Sequence, residues 1–145
     1  MTSYQKLLVA VDLSADSDAV CRRAISLAQL GDAELHLLHV VEYVPVEPMG
    51  EALLPSVEVS DDLLRSARTR LETLAGEHGI AQAPREVRIG NIKSELIEYA
   101  EEIQADLIVL GSRERHGLAI LVNYTEDTIL HAAPCDVLAI RVGKK

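Results

Sequence analysis

The chain has 145 residues with 14 Lys and Arg against 23 Asp and Glu, which gives a formal net charge of -9. A protein that mainly binds DNA or RNA needs a basic face to neutralise phosphates, and this acidic composition argues against that class. Hydrophobic residues make up 48% of the chain but aromatic residues only 3%, so the core must be built from Val, Leu, Ile and Ala, which suits buried parallel strands.

The length suits one domain, and we expect residues 1–145 to form it. The apolar run in MTSYQKLLVAVDLS is too short to span a membrane and lacks a signal-peptide cleavage region. The expected location is therefore the cytoplasm, without membrane insertion. Cys21 and Cys135 lie far apart and show no metal-ligand spacing, so we expect two buried free thiols in preference to a redox pair.

Apolar runs alternate with helical patterns from the start of the chain. A first strand is predicted from Lys6 to Val11. A helix is predicted from Asp16 to Leu30, with Ser14 or Asp16 as its cap and Gly31 as its stop. A second strand follows from Glu34 to Val41.

Three prolines in residues 42–58 predict an unusually long loop, which is either a functional lid or a surface excursion. A second helix is predicted from Ser60 to His78, because a serine followed by two aspartates is a start signal and Gly79 is a stop. A third strand from Arg85 to Ile89 and a third helix from Lys93 to Gln104 come next.

The last part of the chain predicts a strand from Asp106 to Leu110, a loop that begins with Gly111, a helix from Asn123 to Ala132 and a fifth strand from Asp136 to Val142. Alternating strands and helices imply parallel strands, so we expect an α/β fold: an open, doubly wound sheet of five strands with helices on both faces. In such sheets, ligands bind beyond the carboxyl ends of the strands, where the strand order reverses.

Five segments in this order resemble the universal stress protein family, in its small single-domain bacterial type. They are LLVAVDLSADS, LHLLHVVE, VRIGN, ADLIVLGSRERHGLA and HAAPCDVLAIR, and the resemblance covers nearly the whole chain. It implies a parallel sheet of order 3-2-1-4-5 and a homodimer that forms through the C-terminal strand, Asp136 to Val142. It also implies that ATP or AMP is a possible ligand, since many members bind ATP without a well-defined shared reaction and others do not bind it.

The ATP-binding members carry the pattern G-x-x-G, a spacer, and then G-S or G-T. In this chain Gly111 matches the first glycine, whereas Glu114 and Asn123 stand at the second and third, followed by Tyr124 and Thr125 at the hydroxyl position. Unless it turns outward, Glu114 would repel a phosphate by an energy on the order of a few kcal/mol. We therefore interpret the ATP site as degenerate.

Other positions keep nucleotide binding open. The resemblance places Asp12 at the ribose, and Ala10 and Val40 beside the adenine, where the backbone of Val40 would meet the base. Further donors that could hold phosphates without glycines are Ser112, Arg113, Arg115 and His116. The alternatives are that Asp12 caps the neighbouring turn, and that the basic cluster is a solvated loop face paired with Glu114.

No catalytic constellation or metal-ligand set emerges from the sequence. His36 and His39 are three apart on a predicted strand, so they point to opposite faces and cannot share one metal. We therefore expect a non-catalytic stress-response or regulatory protein that acts by binding, dimerisation and contact with a possible protein partner. The alternative is an ATP- or AMP-binding regulatory module with slow or no hydrolysis; a nucleotide-dependent transferase is disfavoured by the missing catalytic groups.

Overall fold

The computed structural model describes residues 3–42, 57–113, 129 and 131–142. Within these ranges the elements are, in chain order, β1 (Lys6–Ala10), α1 (Ser17–Gly31), β2 (Glu34–Glu42), α2 (Val57–Glu77), β3 (Arg85–Gly90), α3 (Ile92–Ile103), β4 (Leu107–Arg113) and β5 (Asp136–Val142). The helix predicted from Asn123 to Ala132 lies mostly outside the described residues, although Ile129, His131 and Ala132 are helical.

The five strands form one parallel sheet in the order β3-β2-β1-β4-β5, which confirms the predicted topology. Strand β1 is central: Leu8 is paired with His36 of β2 on one side and with Ile108 of β4 on the other. The first half of the chain builds the sheet outward from β1 to β3, and the second half builds it outward from β4 to β5. The strand order therefore reverses between β1 and β4, where a ligand site is expected.

Apolar side chains alternate between the two faces of the sheet, and helices cover both. One face packs against α1 and α2 through a cluster that includes Leu7, Val9, Val20, Ala24, Leu37 and Leu71. The other packs against α3 through a cluster that includes Leu8, Leu38, Leu96, Ala100 and Ile108. Burial of each such Leu or Ile contributes about 1.5–3 kcal/mol, so this aliphatic core is the main source of stability.

Helix α1 differs from the prediction at both ends. It begins at Ser17 after Asp16, whose side chain makes no capping hydrogen bond. Gly31 is its last helical residue, and the left-handed capping residue is Asp32, with φ 54°. Gly31 is needed for a different reason: a Cβ there would lie 3.1 Å from the Cβ of Ser3 and 3.2 Å from the Tyr4 carbonyl oxygen. The glycine thus permits close approach of the N-terminal segment.

Two other predicted boundaries were wrong. Helix α2 begins at Val57 and not at Ser60, because no proline separates these residues and a start signal does not prevent a helix from extending upstream. Strand β4 continues through Gly111 to Arg113 and does not end at Leu110. Its last three residues pair with Ile140, Arg141 and Val142 of β5, so the glycine lies within the strand and does not begin a loop.

The edge strand β3 is joined to α3 by a charged cluster around Arg88. The Arg88 side chain is mostly buried; its Nε donates to Glu86 Oε2 at 2.8 Å and its Nη2 to Glu102 Oε1 at 2.7 Å. Burial alone would lower the pKa of Arg88, but the hydrogen bonds to Glu86 and Glu102 outweigh it and raise that pKa. Further neighbours of the guanidinium are Glu95, Glu98 and the ring of Tyr99.

Candidate functional site

The turn between β1 and α1 lies at the point where the strand order reverses, and the carboxylate of Asp12 organises it. Asp12 Oδ1 accepts hydrogen bonds from the Ser14 backbone N–H at 2.9 Å, from Ser14 Oγ at 2.7 Å and from Ser17 Oγ at 3.2 Å. Ser17 is only 2% exposed, so this contact satisfies a buried hydroxyl. Asp12 therefore caps the neighbouring turn, as one of the two readings of the sequence expects.

Two side chains from distant parts of the sequence hold carbonyl groups of the same turn. His39 Nδ1, on β2, lies 2.8 Å from the Val11 carbonyl oxygen and must donate to it, because a carbonyl only accepts. Arg70 Nη2, on α2, donates to the Leu13 carbonyl oxygen at 2.7 Å. Leu13 itself has φ 63°, a left-handed conformation that costs a leucine about 1–2 kcal/mol.

The sequence prediction missed both contacts. The spacing of Asp12 and Ser14 is a recognisable signal for a side-chain-bonded turn, and it could have located the turn. No sequence signal points to Arg70, which is 57 residues from Leu13, and leucine is not a residue that favours the left-handed region.

The positions expected to surround an adenine lie on one face of the sheet. Ala10 and Val40 both pack against the apolar cluster beneath α3, near the carboxyl ends of β1 and β2. Ser112 lies two residues beyond Leu110 of the same cluster, so strand alternation places it on that face too. The fold thus brings Ala10, Val40 and Ser112 to one face, and Asp12 follows β1 by two residues.

Gly111 belongs to the opposite face. A Cβ at this position would lie 3.2 Å from Val20 Cγ2 and 3.4 Å from Val142 Cγ2, on the side that α1 covers. The absence of a side chain therefore lets α1 pack closely on β4 and β5, which is a structural reason for the glycine apart from any ligand.

The rest of the predicted phosphate side is described only in part. Arg113 is the last residue of β4, and its backbone is paired with Val142. Outside the described residues lie Glu114, Arg115, His116, Asn123, Tyr124 and Thr125.

A cavity of about 330 Å³ adjoins the β1–α1 turn on the face that α1 and α2 cover. Near this cavity, the residue directly after α2 contacts α1: His78 Nε2 is 2.8 Å from Asp18 Oδ1. The lining of the cavity combines apolar surface with polar side chains, which include Ser14, Asp18, Arg70, Thr73 and Glu77. Across residues 3–42, 57–113, 129 and 131–142, no three His, Cys, Asp or Glu side chains come together as a metal site would require.

Both cysteines are free thiols, as predicted, but only Cys21 is buried, and the prediction that Cys135 is buried was wrong because that residue is half-exposed. Burial, followed by the charge of Asp18, raises the pKa of Cys21 to about 11. Burial also raises the pKa of Cys135, with Asp106 and Asp136 adding to the shift. Both thiols are therefore protonated near neutral pH and poorly suited to nucleophilic chemistry. None of the helices that the structure describes has the length and apolar character needed to cross a bilayer.

Comparisons with known proteins agree with this architecture. The Universal stress protein family profile matches residues 3–141. The chain is 36% identical over 143 residues to universal stress protein A homolog 2 of Coxiella burnetii (strain RSA 493 / Nine Mile phase I), and the match covers 98% of each chain.

Two solved structures show the same fold. Universal stress protein UspA from Lactobacillus plantarum superposes with a TM-score of 0.71 at 25% identity, covering 97% of this chain and 100% of that one. A universal stress protein crystallised in complex with cAMP superposes with a TM-score of 0.64 at 21% identity, covering 98% and 100%. Profile, sequence and fold lead to one conclusion: the chain belongs to the universal stress protein family.

Proposed function

We propose that this protein is a non-catalytic regulatory protein of the stress response, which acts by binding and dimerisation and whose ATP site is degenerate on the phosphate side. The observation that carries the proposal is the sequence after β4, where Glu114 and Asn123 stand at two of the three glycine positions of the family pattern. Glycines let the backbone approach phosphates closely, whereas a carboxylate adds both bulk and repulsion.

The positions expected beside the adenine and the ribose support a second candidate, an ATP- or AMP-binding regulatory module with slow or no hydrolysis. Ala10 and Val40 share a face near the carboxyl ends of neighbouring strands, and Asp12 follows β1 at the reversal point. A protein of the same fold has been crystallised with cAMP. Repulsion by Glu114 grows with the charge of the ligand, so AMP and cAMP are expected to bind more tightly than ATP.

Calorimetric titration with ATP and Mg²⁺, AMP and cAMP tests both candidates. For ATP we expect a dissociation constant weaker than about 100 μM, or no measurable heat. A micromolar constant for ATP would overturn the degenerate-site proposal. Steady-state phosphate release should stay at the level of a protein-free blank, and turnover by the pure protein would contradict the non-catalytic assignment.

Variants of the loop test the physical cause. Glu114→Gly combined with Asn123→Gly and Tyr124→Ser is expected to strengthen ATP binding at least about tenfold. Glu114→Gln is the matched control that removes the charge but keeps the bulk, so it separates repulsion from backbone freedom. If neither variant gains affinity, the phosphate loop is not what limits binding, and the cause lies elsewhere, for example in residues 42–58.

Dimerisation is proposed to occur through β5, an edge strand whose apolar residues invite pairing. Light scattering coupled to size-exclusion chromatography at micromolar concentration should give twice the mass of one chain, and a monomer would refute the proposed dimer. We propose that the protein acts in the cytoplasm and that a protein partner binds the dimer.

A further inference from the structure

Leu13 is an outlier among the left-handed residues of the protein. Apart from glycines, the described residues with positive φ are Leu13, Asp32 and Gln104. Asp32 and Gln104 are the C-terminal caps of α1 and α3, where a left-handed residue is the normal way to end a helix. Leu13 caps no helix and lies directly after Asp12. A strained conformation at a possible binding site is a reason to ask what holds it.

Arg70 holds it. Its guanidinium donates to the Leu13 carbonyl oxygen at 2.7 Å, a charge-assisted bond that fixes the peptide following Leu13. Arg70 is an exposed residue, and the helix that carries it is anchored by its buried neighbours Leu71 and Leu74. The Leu13 side chain packs against the same core cluster, so the residue is held at both its backbone and its side chain.

The conformation of Leu13 determines the geometry of the Asp12 carboxylate. Leu13 lies between Asp12 and Ser14, and its left-handed backbone brings the Ser14 N–H and Oγ within 2.9 and 2.7 Å of Asp12 Oδ1. If Leu13 relaxed to the right-handed region, the Ser14 peptide would rotate away and these two bonds would break. The Asp12 side chain would then lose its two bonds from Ser14 and keep the longer bond from Ser17 Oγ at 3.2 Å.

We propose that Arg70 is a positioning residue for the candidate nucleotide site: it holds the Leu13 carbonyl from α2 and thereby sets the direction in which Asp12 presents its carboxylate. The inference rests on the proposed function to the extent that Asp12 is the ribose contact. It makes α2 part of the site, although the helix lies on the opposite face of the sheet from Ala10 and Val40.

The chain provides a matched control for this role. His78, directly after α2, also connects this part of the chain to the start of α1, but its hydrogen-bond partner is Asp18, at 2.8 Å, and not the Leu13 carbonyl group. If Arg70 were only a brace between the two helices, Arg70→Ala and His78→Gln would have the same consequences. If Arg70 is a positioning residue, only Arg70→Ala disturbs Asp12 and Ser14.

The first experiment needs no ligand. In Arg70→Ala, we expect the Ser14 amide to shift in the NMR spectrum and to exchange about tenfold faster with solvent, whereas His78→Gln leaves it unchanged. Arg70→Lys should recover part of the protection. In a Leu13→Gly background, where the left-handed conformation carries no penalty, Arg70→Ala should have a smaller effect on Ser14. An unchanged Ser14 amide in Arg70→Ala would overturn the proposal.

The second experiment measures affinity by calorimetry, with AMP for the wild-type loop and with ATP for the Glu114→Gly, Asn123→Gly, Tyr124→Ser variant. Arg70→Ala should weaken binding about tenfold, while His78→Gln lowers the melting temperature without changing affinity. Equal losses of affinity in the two variants would show that Arg70 only braces the fold. If neither loop binds nucleotide, the nucleotide-binding candidate fails, and the Ser14 exchange experiment still decides the role of Arg70.

Discussion

The two ends of the sheet use the same chemistry for different purposes. At the amino end, Asp106 accepts hydrogen bonds from the backbone N–H groups of Gln5 and Lys6 at 2.7 and 2.9 Å, and it closes the entry of β1 against the entry of β4. At the carboxyl end, Asp12 accepts bonds from Ser14 and Ser17 and closes the turn into α1. Asp106 directly precedes β4 at the amino end, and Asp12 follows β1 by two residues at the carboxyl end. One aspartate therefore organises each end.

The backbone differs between these two ends. The left-handed residues Asp32 and Gln104, which lead into β2 and β4, are ordinary helix caps. The left-handed residue at the carboxyl end is Leu13, which is held by Arg70 against its own preference. The left-handed residues at the amino end are therefore ordinary caps, whereas the one at the carboxyl end stores strain beside a candidate ligand site.

The largest expected effect is at the amino end. Asp106→Ala removes two hydrogen bonds to a charged acceptor and should lower the free energy of unfolding by about 3 kcal/mol, at roughly 1.5 kcal/mol for each bond. Urea unfolding measures the loss, and nucleotide affinity should not change. Asp61→Ala, at an exposed position of α2, is the control and should be neutral. A loss below about 1 kcal/mol would show that Asp106 does not organise its end of the sheet.

The next effect concerns pH and the start of α1. Burial raises the pKa of Cys21 from about 9 to about 11, so the folded state holds the thiol proton more tightly than the unfolded state. The contribution is fully present below pH 9 and is lost as the pH rises to 11, by roughly 2–3 kcal/mol at most.

The measurement is the free energy of unfolding between these two pH values in the wild type and in Cys21→Ala. The variant should be less stable at neutral pH because it leaves a small cavity, but its stability should fall less steeply with pH. Parallel pH curves for the two proteins would contradict the assignment to Cys21.

The smallest effect separates packing from ligand binding at Gly111. Gly111→Ala should destabilise the protein by about 1–2 kcal/mol in the absence of nucleotide, because the new methyl group would meet Val20 and Val142. Gly76→Ala is the matched control: its added Cβ would meet nothing within 4 Å beyond its own helix backbone, and a helical alanine should stabilise by about 0.5–1 kcal/mol. A neutral Gly111→Ala would mean that α1 does not need this glycine.

The sequence predicted the fold well because the fold depends on local periodicity. Continuous apolar runs predicted the strands, and their alternation with helices predicted a parallel sheet, whereas the strand order was implied by the resemblance to the universal stress protein family. The alternation of side chains along each strand places Ala10, Val40 and Ser112 on one face of the sheet. These features need no knowledge of distant contacts.

What the sequence did not predict depends on contacts between distant residues. The extension of β4 beyond Leu110 requires β5 as a pairing partner, which the local pattern around Gly111 does not reveal. The left-handed Leu13 contradicts its intrinsic preference and is explained only by Arg70, from another helix. Strain of this kind is invisible to propensity because the compensating interaction is elsewhere in the chain.

The charged cluster around Arg88 has a consequence for how many chains can assemble. Strand β3 lies at one margin of the sheet and β5 at the other, and a sheet open at both margins could grow into a fibre. Arg88 and its carboxylate partners place paired charges on β3, and charged side chains on an edge strand disfavour the addition of another strand. If the proposed dimer forms through β5, the charged β3 strands would lie at its two outer margins, and assembly would stop at two chains.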